Sequence, residues 1–258
     1  MDSFWLRNRE GLPITDWEGW VRPKEDYQWK RGRSAMELAR AWFPKGKLAC
    51  PAELDSLLQS SPRTAGYQLT IGQPEFVTQL PERGEGRNHD LWLQGHCPAG
   101  NLTICIEAKA DEPFGNLIYE EIARARKRKA TTRLPARVEA LLQLLFGHPC
   151  NPLEKPWSHL RYQLITALAG TVIQAAHDGS TTAVFVVHEF LSGALDSERL
   201  RQNDVDLNAV LAFRVPGCDA IKASNFVGPI HIAGCRDLPC SVDLLVGKVQ
   251  ARLPSNSA

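Results

Sequence analysis

One uninterrupted apolar segment, Ala183 to Val187, constrains the fold of this chain more than any other feature of its sequence. The segment is rich in valine, ends at His188 and shows no alternation of apolar and polar side chains. A strand with that pattern is buried on both faces, because helices cover both sides of the sheet to which it belongs. The segment therefore predicts an α/β fold.

The order of the remaining segments indicates how the sheet is built. Helical spacing and capping residues predict helices over 34–43, 51–58, 117–130, 135–146, 158–177 and 207–213. We expect strands over 67–71, 91–93, 102–106 and 227–232, of which the first ends at Gly72 and Pro74. Pro229 indicates that the last strand lies at a sheet edge, because proline has no N–H for a ladder. This order favours a mixed central sheet flanked by helices.

Length and composition describe an ordinary globular chain. Its 258 residues are 43% apolar and 23% charged, which fits one large domain. We divide the chain into an irregular N-terminal arm (1–33), a single domain (34–250) and a polar tail (251–258). The net charge of +1 does not by itself indicate a polyanionic partner. The oligomeric state stays open, a homodimer included.

Neither a membrane nor a zinc site is expected. The longest apolar helical pattern, residues 160–176, is too short and too polar to span a bilayer, and the N-terminus has no signal-peptide pattern. The seven cysteines have no zinc-ligand spacing. We interpret them as reduced thiols of a cytoplasmic protein.

Two predicted strands carry a group of charged residues. Glu107 and Lys109 are two residues apart at the end of an apolar strand, so their side chains lie on the same face. Asp90 begins the preceding strand, and a β-hairpin in the right register brings it beside Glu107. Two neighbouring carboxylates repel each other unless a cation lies between them, and Mg²⁺ or Mn²⁺ accepts such oxygen ligands. With a lysine to orient a metal-bound water, this pattern is typical of phosphodiester hydrolysis.

The same residues resemble the PD-(D/E)XK nuclease superfamily, which has the restriction-endonuclease-like fold. The resemblance rests on the segments 88–93 (NHDLWL) and 104–109 (ICIEAK), and it extends over roughly residues 34 to 235. The segments 161–163 and 186–190 are similar to a bacterial branch of the superfamily. The resemblance implies a nuclease that uses Mg²⁺ or Mn²⁺ and acts on nucleic acid. DNA is the expected substrate, although these residues do not distinguish DNA from RNA.

The resemblance also implies roles for individual residues. Asp90 and Glu107 would bind the metal, and Lys109 would assist the attacking water. A further acid often lies on the first core helix of the family, where Glu37 fits and Glu75 is the competitor. Gln163 corresponds to an accessory glutamine, although two predicted helices separate it from the Glu107 strand.

A basic segment is the candidate surface for nucleic acid. No acidic residue occurs between Arg124 and Arg137, and five basic residues are clustered at Arg124, Arg126, Lys127, Arg128 and Lys129. Such a cluster can follow a phosphate backbone. The alternative is a solvated helix face that Glu120 and Glu121 balance.

The sequence thus supports two functions of different classes. The first is a metal-dependent nuclease with the roles given above. The second is a catalytically inactive domain of the same fold that binds nucleic acid or a protein partner. In that case Glu107 and Lys109 form a surface ion pair on the rim of the binding domain, which contributes little energy.

Overall fold

The computed structural model describes residues 4–23, 27, 29–192, 197–217 and 220–253. Its strands are β1 (Trp5–Arg7), β2 (Pro13–Ile14), β3 (Gln68–Thr78), β4 (Arg87–Cys97), β5 (Gly100–Lys109), β6 (Thr182–Leu191), β7 (Asn225–Ile232) and β8 (Val242–Arg252). The α-helices of these ranges are α1 (Ser34–Ala41), α2 (Ala52–Gln59), α3 (Ile118–Arg128), α4 (Leu134–Phe146), α5 (Tyr162–His177) and α6 (Ser197–Leu211).

The eight strands form one mixed sheet in the order β2-β1-β3-β4-β5-β6-β8-β7. Strands β3, β4 and β5 are antiparallel neighbours, and the tight turn between β4 and β5 makes the predicted hairpin. Strand β6 runs parallel to both β5 and β8, so the chain crosses over between them. The crossover from β5 to β6 contains α3, α4 and α5.

Helices cover the two faces of the sheet. Apolar residues of α3, α4, α5 and α6 pack on one face, and those of α1, α2 and the N-terminal segment pack on the other. Ala183, Phe185 and Val187 of β6 point into the first core, whereas Val184 and Val186 point into the second. The predicted mixed α/β architecture with helices around a central sheet is therefore confirmed.

Several sequence predictions about single elements are confirmed. The segment 183–187 lies within β6, near the middle of the sheet, and β7 with Pro229 lies at its edge. Each predicted helix corresponds to one of the six helices, with ends that differ by a few residues. The largest difference is at α6, which begins at Ser197, ten residues before the predicted start.

The prediction that Gly72 and Pro74 end the first strand is wrong, because β3 continues to Thr78. A Cβ on Gly72 would lie 2.5 Å from Leu93 Cδ2, so glycine permits close packing at this point. The pairing of β1 with β3 reaches only Gly72, so Pro74 lies where β3 has an open edge among the described residues. Proline is tolerated at such an edge.

The two ends of the chain also differ from prediction. The segment 1–33, which we predicted to be irregular, contributes β1 and β2 to the sheet edge. Strand β8, which we did not predict, lies between β6 and β7 and extends to Arg252, past the predicted boundary at residue 250. Residues 254–258 of the predicted tail lie outside the described residues.

The described residues also bear on membrane-spanning helices and on the state of the cysteines. No helix in the described part of the chain is both long enough and apolar enough to cross a membrane. The six described cysteines are free thiols, and burial raises the pKa of Cys105 to about 12.

Candidate functional site

Three carboxylates lie at the same level on three neighbouring strands. Glu75 of β3 is opposite Asp90 of β4, because the paired residues on either side of them are in continuous register. Leu91 pairs with Ile106, so the next step along the hairpin brings Asp90 beside Glu107 of β5. The hairpin register that the sequence left open is thus the one that places the two acids together.

Glu107 is the most highly connected of the three acids. Its Oε1 accepts hydrogen bonds from Lys109 Nζ at 2.8 Å and from Gln163 Nε2 at 2.6 Å. Its Oε2 is paired with the guanidinium of Arg87. Burial alone would raise the pKa of Glu107, but the charges of Arg87 and Lys109 outweigh it and lower that pKa.

Lys109 and Gln163 complete a closed polar ring with Glu107. Lys109 Nζ donates to Gln163 Oε1 at 3.1 Å, and it lies 5.0 Å from the centre of the Phe114 ring. Gln163 belongs to the first turn of α5, 56 residues from Glu107 along the chain. The two helices inserted before α5 therefore do not move Gln163 away from the acid–lysine pair.

Asp90 has much less positive charge around it. One of its oxygens accepts a hydrogen bond from the backbone N–H of Ala108 at 2.7 Å. Burial raises the pKa of Asp90 well above its usual value, and the charges of Glu107 and Glu75 raise it further. The opposing influence of Lys109 and of the Ala108 N–H is smaller. Positive charge beside Asp90 would therefore stabilise its ionised form.

Glu75 is held in an unusual backbone conformation. Its φ is 52°, in the left-handed region that non-glycine residues seldom adopt. The side chain is buried and accepts a hydrogen bond from Asn88 Nδ2. Burial raises the pKa of Glu75, although Asn88 and Arg9 oppose this change. Strained residues of this kind cluster at functional sites, where the surrounding structure holds them in place.

Glu37 has different neighbours. It lies on α1, and its Oε1 accepts a hydrogen bond from the backbone N–H of Gly32 at 2.7 Å. The contacts found for Glu37 within the described ranges do not include Asp90 or Glu107. Of the two candidates for a further acid, the structure brings Glu75 beside Asp90.

The donor set decides whether a divalent ion fits here. Within the described ranges, no cluster of three or more His, Cys, Asp or Glu side chains has an arrangement suited to a metal. Asp90 and Glu107 nevertheless supply oxygen donors of the type that Mg²⁺ and Mn²⁺ prefer. The repulsion that raises the pKa of Asp90 is the kind that a cation relieves. The residues fit such an ion if Glu107 is released from one of its present partners.

Two clefts meet at this cluster. The first has a volume of about 530 Å³ and is lined by five arginines together with two acids, namely Arg83, Arg87, Arg128, Arg133, Arg137, Glu85 and Glu121. The second has a volume of about 790 Å³ and contains Asp90, Glu75 and Glu112 beside Tyr27 and the arginines Arg9, Arg22, Arg33 and Arg87. Arg87, Asn88 and Gln163 line both clefts. Arginine thus outnumbers acidic residues in each cleft.

The predicted basic segment has an exposed part and a buried part. The five clustered residues, Arg124, Arg126, Lys127, Arg128 and Lys129, are all exposed on α3 or directly after it. Arg128 lines the first cleft and lies 3.9 Å from Glu121. Arg137 is instead buried, and it donates to the backbone carbonyls of Glu82 and Glu85.

Sequence reasoning identified Lys109 but missed the second cationic partner of Glu107, which is Arg87. Arg87 lies three residues before Asp90, at a spacing that belongs to no motif considered above. The polar run Arg87-Asn88-His89 directly before Asp90 was the available signal. Among its members, Arg87 contacts Glu107, Asn88 contacts Glu75, and His89 is fully buried with a pKa that burial keeps well below its usual value.

One family model matches this chain. It describes a domain of unknown function (DUF6946), and the match covers residues 13–253. No curated protein and no solved structure shows a significant match.

Proposed function

The chain belongs to the DUF6946 family, and we propose that it is a metal-dependent nuclease that hydrolyses phosphodiester bonds with Mg²⁺ or Mn²⁺. The proposal includes a restriction-endonuclease-like arrangement of the central sheet. Its main support is one observation: Asp90, Glu107 and Lys109 converge with Gln163 where two arginine-rich clefts meet.

Each residue of the site has a proposed role. Asp90 and Glu107 would hold the metal, with Glu75 as the further acid beside Asp90. A bound ion would supply charge neutralisation at a phosphodiester oxygen and would lower the pKa of a water. Lys109 would orient the attacking water and stabilise negative charge that develops on the phosphate. Gln163 would position both Lys109 and Glu107, to which it is hydrogen-bonded.

The clefts support nucleic acid as the substrate. A phosphate backbone that crosses the site from one cleft to the other would meet arginine side chains on both sides of the acids. Arginine binds phosphate through two parallel hydrogen bonds, which fixes the position of the scissile group. The exposed basic residues of α3 would extend this contact beyond the first cleft, and DNA is the expected polymer.

Replacement of Lys109 tests the enzymatic role. We expect Lys109→Ala to reduce Mg²⁺- or Mn²⁺-dependent cleavage by at least about 100-fold, the typical effect of removing one such charge-stabilising donor. Binding of the same oligonucleotide should be retained. Lys109→Met keeps the packing against Phe114 and should show the same loss, and Lys45→Ala removes an exposed lysine as a control. Wild-type cleavage rates in a folded Lys109→Met protein would refute the role of Lys109.

A second candidate function is a non-enzymatic domain that binds nucleic acid or a protein partner. It is favoured by the pairing of both Glu107 oxygens, with Arg87 on one and with Lys109 and Gln163 on the other, which leaves neither oxygen unpaired. Calorimetry with Mn²⁺ distinguishes the two functions. Heat of binding in the wild type that is lost in Asp90→Asn supports the nuclease, and no heat in either protein supports the binding domain.

A further inference from the structure

Arg87 lies at the boundary between the acidic site and the two clefts. Its guanidinium is paired with Glu107 Oε2, and only 10% of its side chain is exposed. Its Nε is buried and has no hydrogen-bond partner among the described residues. Arg87 also lines both clefts. It is thus a buried cation that faces an acid on one side and the candidate substrate path on the other.

A divalent ion and Arg87 would compete for the same carboxylate. Glu107 Oε1 already accepts hydrogen bonds from Lys109 and Gln163, so Oε2 is the oxygen that a metal would share. The guanidinium occupies that oxygen in the structure. An ion placed beside a paired Arg87 would also be repelled by its positive charge. Metal binding is therefore weakened for as long as this ion pair persists.

A substrate phosphate offers Arg87 an alternative partner. The planar guanidinium matches a phosphate group with two parallel hydrogen bonds, one of which can involve the unpartnered Nε. The clefts that would admit the phosphate backbone meet at Arg87 itself. A phosphate bound there would remove the guanidinium from Glu107 without leaving a buried cation unpaired.

We infer that Arg87 exchanges Glu107 for a phosphate of the nucleic acid, and that this exchange makes Glu107 available to the metal. The substrate and the divalent ion then bind cooperatively, and each raises the affinity of the other by the same factor. Arg87 is a positioning residue whose partner depends on whether substrate is present. This inference rests on the proposed function, because it requires that the site bind both a metal and a phosphodiester.

Calorimetric titration with Mn²⁺ tests the exchange without relying on activity. The proteins are the wild type, Arg87→Gln and the control Arg63→Gln, which removes an arginine that is also paired with a carboxylate, Asp243, but lies outside both clefts. Each is titrated alone and with a saturating short phosphorothioate oligodeoxynucleotide. Circular dichroism verifies that each variant is folded, and Arg87→Lys replaces Arg87→Gln if the latter is not.

We expect Mn²⁺ to bind Arg87→Gln about tenfold more tightly than the wild type when no oligonucleotide is present, which corresponds to about 1.4 kcal/mol. The oligonucleotide should raise the Mn²⁺ affinity of both the wild type and Arg63→Gln, again by about tenfold. In Arg87→Gln the oligonucleotide should have little further effect. In Arg87→Lys a single ammonium group replaces the planar guanidinium. The gain in Mn²⁺ affinity without oligonucleotide and the loss of the oligonucleotide effect should therefore both be intermediate.

Two results would overturn the inference in different ways. Equal Mn²⁺ affinities in the wild type and the Arg87 variants, with equal gains from the oligonucleotide, would refute the exchange but leave the metal-dependent nuclease intact. No Mn²⁺ binding in any of these proteins, with or without oligonucleotide, would refute the proposed metal site and the exchange together.

Discussion

At the scale of single residues, the identity of the third acid determines the charge around the candidate metal. Asp90 lies between Glu75 and Glu107 in the sheet, and the negative charge of both raises its pKa. Glu37, the acid that the family resemblance favours, is hydrogen-bonded to the backbone at Gly32. Its role as a metal ligand stays a prediction. The structure makes Glu75 the stronger candidate, because a shared ion would relieve its repulsion with Asp90.

A matched pair of substitutions separates these two acids. We expect Glu75→Gln to weaken Mn²⁺ binding by about tenfold or more, because one of three neighbouring carboxylates loses its charge. Glu37→Gln should change the affinity by less than about twofold. Calorimetric titration of Mn²⁺ into both variants, in the presence of oligonucleotide, measures the difference. The reverse order of effects would assign the role to Glu37.

At the scale of elements, a hydrogen bond between Glu53 and His188 connects the helical layer of α1 and α2 to the central strand β6. Glu53 lies in the first turn of α2, and its Oε1 is 2.8 Å from Nε2 of the buried His188 in β6. Burial alone would raise the pKa of Glu53. The hydrogen bond from His188, a backbone N–H and the charge of His188 outweigh burial and lower that pKa. Ionised Glu53 therefore stabilises the folded state.

The stability of a Glu53→Gln variant should depend on pH in a defined direction. A carboxyl with a lowered pKa in the folded state stabilises the protein above its unfolded pKa, about 4.3, and loses this effect as pH falls through the folded pKa. We expect Glu53→Gln to lower the free energy of unfolding by about 1 kcal/mol at neutral pH. The difference from the wild type should shrink as the pH falls below about 4.

Urea denaturation at neutral and acidic pH measures this difference. Glu139→Gln serves as the control, since Glu139 is an exposed acid on α4. A destabilisation by Glu53→Gln that stays constant down to acidic pH would show that packing, rather than the charge of Glu53, connects α2 to β6.

At the scale of the whole molecule, the distribution of charge matters more than its sum. The net charge is only +1, yet the exposed basic residues of α3 lie beside the first cleft. The turn at Pro44–Gly46, between α1 and α2, carries Lys45 and is followed by Lys47, and both lysines are exposed. Helices α1 and α2 pack on the opposite face of the sheet from α3. The two surfaces therefore provide matched tests of where a polyanion binds.

Two double substitutions compare these surfaces. Each phosphate contact that is lost should reduce the slope of log affinity against log salt concentration by about 0.9 for duplex DNA. We expect Arg124→Ala with Lys127→Ala to reduce the slope by about 2, and Lys45→Ala with Lys47→Ala to leave it unchanged. Fluorescence anisotropy over a series of salt concentrations measures both. Equal slopes in the two double variants would assign the basic residues of α3 to a solvated helix face.

The sequence by itself determined the features that depend on local periodicity. The valine-rich segment of β6, the helical spacing of α5 and the alternation of Glu107 and Lys109 each follow from side-chain preferences within a few residues. Those patterns were sufficient for the mixed α/β class and for placing an acid and a lysine on one face of β5. Pro229 likewise located β7 at the sheet edge, because a missing N–H is a property of the residue itself.

Only the tertiary structure decided which distant residues meet at the site. Glu75 is opposite Asp90 because of the register between β3 and β4, and Gln163 reaches Glu107 because α5 packs across the sheet. Strand β8 contains the buried Lys248, whose partner Glu189 lies on the neighbouring strand β6. Register, crossover and charge pairing are set by packing between segments far apart in the chain, and local preferences carry no information about them.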